Sequence, residues 1–303
     1  MISTLNVNSQ RFLNDLQVTQ SRQDRAEAAL SSGLKLRKAS DDPDKVEILL
    51  ETRSQLAAQQ QTKTNIEQYK TEVDASENAL QNAVKTLERA RVLGAQGLNE
   101  TSVTNPRPIL AEEVSSVFTN LVGASRTASQ DRYIFSGDSD QTAPFAINLT
   151  QPNGVSAYAG TAGANRLAEN SSGVRFSVSK TAQEIFDSST PGDSVFGAVN
   201  GLRVALLAND TTAIKAALAN IETASSHLNK ELAFYGSVQG QIAESISSGE
   251  KYQLSLKEQI SNVEGADAAE SILELNQSKI ALEAAYQTHA QVPRKSLFDY
   301  LFN

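Results

Sequence analysis

"SSGLKLRKASDDPDKVEILL", residues 31–50, places three carboxylates within four positions, separated by two residues from a preceding cationic pair. Such a cluster is either a metal or acid/base site or a joint between two helices. Cap chemistry accounts for each residue in it. Arg37 and Lys38 complement the negative end of a helix that stops there. Asp42 is placed to cap the next helix, Pro43 fits its first position, Asp44 sits in its first turn, and Asp41 adds charge at the same positive helix end. No histidine and no complementary acidic motif lies nearby, so a metal or catalytic role is not expected. Asp41, Asp42 and Pro43 are read as a helix joint.

The texture on either side of the joint supports long helices. Residues 1–138 are nearly free of glycine and proline and rich in Ala, Gln, Leu, Glu and Lys. Ile2, Leu5, Ser9, Phe12, Leu16, Thr19, Gln23, Ala26 and Leu30 recur in steps of three and four. Leu49, Leu56, Ile66, Tyr69, Val73, Leu80, Ala83, Leu87 and Ala90 follow the same rule, as do Ile272, Leu275, Lys279, Leu282, Tyr286 and His289. A repeat of this kind keeps one seam facing a partner helix. A run over 45–93 extends roughly 70 Å, a length typical of scaffolds and assembly elements rather than enzymes. Between 139 and 195 turn clusters take over, with strand-like runs at 145–149, 155–158 and 174–178. Helical texture returns over 198–290. The fold class is therefore mainly α, with a small central β-rich domain.

Composition excludes several functions. The 303 residues hold no cysteine, so thiol and thiolate chemistry is absent, and only two histidines, His227 and His289. Both stand isolated, and neither HExxH nor a phosphate-binding loop occurs. A net charge of −8 argues against a nucleic-acid partner. No run approaches the ~18 apolar residues of a membrane helix, and the N-terminus lacks the form of a secretory signal. Gly236 and Gly240, spaced G-x-x-x-G in polar surroundings, suggest close helix packing. No catalytic residue, cofactor or metal is expected.

The chain ends carry the remaining signal. Leu297, Phe298, Tyr300 and Leu301 crowd the C-terminus, and Leu5, Phe12 and Leu16 form a thin stripe near the N-terminus. Neither has an obvious partner within the chain. Both are read as assembly interfaces, because apolar clusters at a chain end are costly unless something covers them.

Three stretches resemble the bacterial flagellins and their relatives: "LSSGLKLRKASDDP" (30–43), "LERARVLGAQGLNET" (87–101) and the segment 261–301. Within that superfamily, Pro43 after two aspartates, "DRYIFSGDSDQTAPF" (131–145) and the block 155–186 are similar to the hook–filament junction proteins, the third hook-associated proteins. "QVP" at 291–293 and the segment 87–96 read as flagellin-like, so a filament flagellin forming a homopolymer stays open beside the junction reading. The resemblance implies a long antiparallel helical rod of coiled-coil type formed by the N- and C-terminal segments. It implies an inner terminal domain of 1–33 with 266–303, a rod domain of 34–138 with 196–265, and a small outer β domain of 139–195. The partners it implies are copies of the chain, the first hook-associated protein, filament flagellin and a cytosolic flagellar export chaperone. The location it implies is the extracellular flagellum, reached through the flagellar secretion apparatus without a cleaved signal peptide.

Overall fold

The computed structural model describes residues 2–38, 42–99, 106–190 and 192–291, with side chains from residue 10 to residue 290. Seven helices carry most of these residues: α1 (Ile2–Ser32), α2 (Pro43–Asn99), α3 (Arg107–Ser125), α4 (Ala182–Phe186), α5 (Val195–Leu207), α6 (Thr211–Glu264) and α7 (Ala268–Gln291). Four short strands form two separate antiparallel hairpins, β1 (Ala128–Ser129) with β2 (Arg132–Tyr133) and β3 (Leu167–Glu169) with β4 (Arg175–Ser177). The chain divides into two compact units. Unit 1 is Met1–Ala57 with Gln253–Asn303, and unit 2 is Ala58–Tyr252. The long helices α2 and α6 contribute to both.

Local chemistry sets the boundaries. The Asp210 carboxylate accepts from the N–H groups of Thr212 and Ala213 at 2.9 and 3.0 Å, filling orphan donors at the start of α6. Thr181 and Glu184 form a reciprocal capping box on α4. At the β1–β2 turn Gln130 and Asp131 both take positive φ, 51° and 59°, the arrangement of a two-residue type I′ hairpin.

In unit 2, α2 and α6 run antiparallel. Lys63 pairs with Glu250, Gln239 reaches Asp74, and Arg91 pairs with Glu222, so residue numbers rise on one helix as they fall on the other. Most of the seam expected along the first of these helices is buried: Ile66, Val73, Leu80, Ala83, Leu87 and Ala90 are nearly inaccessible, while Tyr69 and, in unit 1, Leu56 are half-buried. A contiguous apolar core runs from this seam through α3 and α5 into the central insert. Its centre is aromatic. The Phe196 ring stacks on Phe186 at 5.6 Å and meets Phe118 and Phe145 edge-on at 5.9 and 5.3 Å.

The central insert holds less strand than its turn-rich sequence suggested. Of the three expected runs, 174–178 contains β4, while 145–149 and 155–158 meet in a single bridge between Ile147 and Val155. Turns stitched by Asx-type bonds take up much of the remainder. Glu72 of α2 ties the insert to the helices: its carboxylate pairs with Arg166 of the insert and accepts from Arg132 of β2 at 2.8 Å. Gly236 and Gly240 do not pack closely here. Both are exposed on α6, and a side chain at either would meet open space.

Candidate assembly surface

Unit 1 is built on the pair α1 and α7. Gly33 ends α1 with φ +69°, a conformation that glycine adopts without strain. The chain then runs beside the α6–α7 connection: the Ala266 N–H donates to Gly33 O at 2.9 Å and the Lys35 N–H to Glu264 O at 2.6 Å. Only glycine fits at 265, where a Cβ would stand 2.4 Å from Ser261 O. Asp267 caps α7 by accepting from the Ala269 N–H at 2.8 Å. Further along, Arg22 faces Glu274 at 3.8 Å, and the Phe12 ring stacks on His289 with centroids 4.2 Å apart. These contacts set α1 and α7 antiparallel.

Small residues alternate with larger ones along the line between the two helices. Ala26, Ser271, Ser278 and Leu282 are buried there, and Phe12, Leu16, Gln23, Leu275 and Ala285 are half-buried. This corrects the seam expected for the last helix. Leu275 and Leu282 do face inward, but Ser271 and Ser278 take the places assigned to Ile272 and Lys279, and Tyr286 is exposed. Where serine and alanine face inward, several of their larger neighbours turn out. Leu13, Val18, Leu273, Ile280 and Tyr286 project outward, with Ile280 66% and Leu13 60% exposed, and Ile48 and Leu50 do the same on the first turns of α2. Leu273 and Ile280 lie seven residues apart, two turns of helix, on the face of α7 away from its buried line. Sequence reasoning did not pick out this pair, although the seven-residue spacing was available to be read.

The other expected residues fall as follows. Leu5 lies in α1, with its side chain outside the described residues. Leu297, Phe298, Tyr300, Leu301 and Asp41 lie outside them altogether. Pro43 is the first residue of α2. Asp42 precedes it, accepting from the Lys45 N–H at 3.3 Å and pairing with the Lys45 ammonium at 2.6 Å. The bond from the Lys45 side chain, with help from its backbone N–H, holds the Asp42 carboxyl below its usual range. Among the described residues neither histidine stands in a metal-ligand set. His227 is largely buried against the backbone oxygen of Glu184, at 3.0 Å. Among the described residues no group of three or more His, Asp or Glu is arranged to hold a metal ion, and no helix is long and apolar enough to cross a membrane.

The bacterial flagellin N-terminal helical region matches residues 2–140, and the bacterial flagellin C-terminal helical region matches residues 218–301. The chain belongs to the bacterial flagellin family. A flagellin of Clostridium tyrobutyricum is 28% identical over 117 residues, which are 39% of this chain and 31% of that flagellin. In fold, the chain is similar to a flagellar hook-associated protein of Vibrio parahaemolyticus, with a TM-score of 0.65 and 20% identity, covering 74% of this chain and 100% of that one. It is also similar to the flagellar junction protein FlgL of Legionella pneumophila, with a TM-score of 0.55 and 16% identity, covering 71% and 99%. Both of the family's matched regions include the helices of unit 1, where the outward apolar residues sit.

Proposed function

We propose that the chain is a non-enzymatic structural subunit of the bacterial flagellum that joins hook to filament by helical self- and hetero-assembly. The observation that carries this reading is the inversion of apolar placement in unit 1. Among the described residues, unit 1 buries five apolar side chains and exposes ten large ones, whereas unit 2 buries 38 and exposes nine. A unit built this way gains its burial from neighbours. Membership of the flagellin family supports assembly into a flagellum, and the likeness in fold to hook-associated and junction proteins favours the junction over the filament. The partners on this reading are copies of the chain, the first hook-associated protein and filament flagellin. A cytosolic export chaperone covers Leu297, Phe298, Tyr300, Leu301 and Phe302 before export through the flagellar apparatus.

A filament flagellin is the second reading, favoured by the sequence match to the Clostridium tyrobutyricum flagellin. The two differ in self-contact, because an open heterologous contact propagates without limit. Purified chain seeded with filament fragments is expected to remain monomeric or form short oligomers in sedimentation and negative-stain images, and to add to hook ends that carry the first associated protein. Long uniform filaments grown from this chain alone would establish the flagellin reading instead.

A further inference from the structure

The turn of the β3–β4 hairpin is seated on both long helices at one end of unit 2. Gln59 of α2 donates its side-chain N–H to Ser171 O at 3.5 Å. On α6, a Cβ at Gly249 would stand 2.7 Å from the Ser171 hydroxyl. Glycine inside a helix weakens it, and here the missing side chain makes the seat. The turn itself is stiff. The Asn170 carboxamide oxygen accepts from the N–H groups of Ser172 and Val174 at 3.0 and 2.9 Å, and Gly173 closes the loop at φ +79°.

Beneath the turn the apolar core is running out. Its members on α2 begin at Ile66, and those on α6 end at Ile242. Beyond them, toward residues 58 and 252, stands the exposed Lys63–Glu250 pair at 2.7 Å, and exposed pairs of this kind hold weakly. The seat is also incompletely satisfied. Gln59 Oε1 is buried and meets no donor among the described residues, which lowers the stability of the docked state.

We propose that the β3–β4 hairpin is a releasable clasp on α2 and α6. Seated, it holds together the turns of α2 and α6 that lie at this end of unit 2, past the last members of its core. Lifted, it frees those turns, so the central insert controls how firmly the two helices are held just before they continue into unit 1. Hydrogen exchange followed by mass spectrometry on the whole purified chain tests this, in two variants. One replaces residues 170–174 with Asn-Gly, a two-residue turn that shortens the hairpin and leaves the helices untouched. The other is Gly249→Leu, which fills the seat.

Amides in 58–66 and 242–252 are expected to exchange several-fold faster in both variants, with α3 and α5 unchanged. Leucine also raises helix propensity at 249, which alone slows exchange in α6, so acceleration there reports loss of the clasp. Ser172→Ala, an exposed change in the same turn, should leave exchange as it is. Unaltered or slower exchange in the shortened hairpin overturns the proposal, whatever the Gly249 variant does.

Discussion

Units 1 and 2 share two helices yet solve burial in opposite ways. In unit 2 large side chains point in, toward a core that runs from Ile66 to Ile242 and closes on six buried aromatics. In unit 1 serine and alanine share the inward line with a few large residues such as Leu275 and Leu282, and most of the large side chains point out. The same helical chemistry therefore makes a folded body in one place and an attachment surface in the other. What separates them is how many apolar side chains the inward line holds fully buried: Ile66, Val73, Leu80 and Leu87 on α2 in unit 2, against Leu282 with Ser271 and Ser278 on α7 in unit 1.

The largest expected effect lies in the body. Phe196 is inaccessible and touches three other rings, so Phe196→Ala should lower unfolding stability by about 3–5 kcal/mol in a urea titration. A loss below about 1 kcal/mol would mean that the core is less continuous than its packing indicates.

The second test reverses the logic in unit 1. Leu273→Asp with Ile280→Asp should change the stability of the free chain by less than about 0.5 kcal/mol per site, because both side chains are exposed. The same pair should remove about 1.5–3 kcal/mol of burial per site in an assembly. Co-sedimentation with hooks should then fall by more than roughly tenfold. Normal incorporation of this variant would break the comparison.

Alkaline pH should act on the body. Burial pushes the Tyr158 hydroxyl up to about 12 from 10.0, and burial raises Tyr235 as well. A phenol whose folded value is raised supports the fold fully below pH 10 and loses that support as pH climbs toward its folded value. Unit 2 should loosen between pH 10 and about 12 in circular dichroism, with Tyr158→Phe narrowing the effect. Loosening confined to pH below 9 would implicate other groups.

The smallest change should come from the exposed Arg22–Glu274 contact, 3.8 Å long. Glu274→Gln should shift stability by under about 0.5 kcal/mol. A larger loss would show that α1 and α7 depend on charge rather than on close backbone approach.

Legibility in the sequence follows the same division. The buried line of α2 is readable because apolar residues there have one use, and Ile66, Val73 and Leu80 mark it without competition. On α7 two faces are apolar, one for α1 and one exposed in the chain alone, so periodicity cannot say which is inside. Ile272 and Tyr286 were placed inward on that ambiguity. At the joint, the start of α2 was readable in Asp42 and Pro43, which have fixed roles at a helix start, but the end of α1 was not: the helix stops at Ser32, before Arg37 and Lys38, because Gly33 takes the positive φ that closes it. The insert was harder: its backbone is held by side-chain bonds such as those from Asn148 and Asn170 to nearby N–H groups, which leave no period. The box at Thr181–Glu184 is a start signal for α4 visible in the sequence.

The antiparallel pairing of α2 with α6 also has a mechanical meaning. Cross-links recur at three levels, Lys63 with Glu250, Asp74 with Gln239, and Arg91 with Glu222. Tension that slides one helix along the other strains every level together, so the load is shared. Force that lifts one helix away at an end strains a single level at a time, and the pair opens like a zipper. Unit 2 should therefore yield at higher force when sheared along its helices than when peeled from either end.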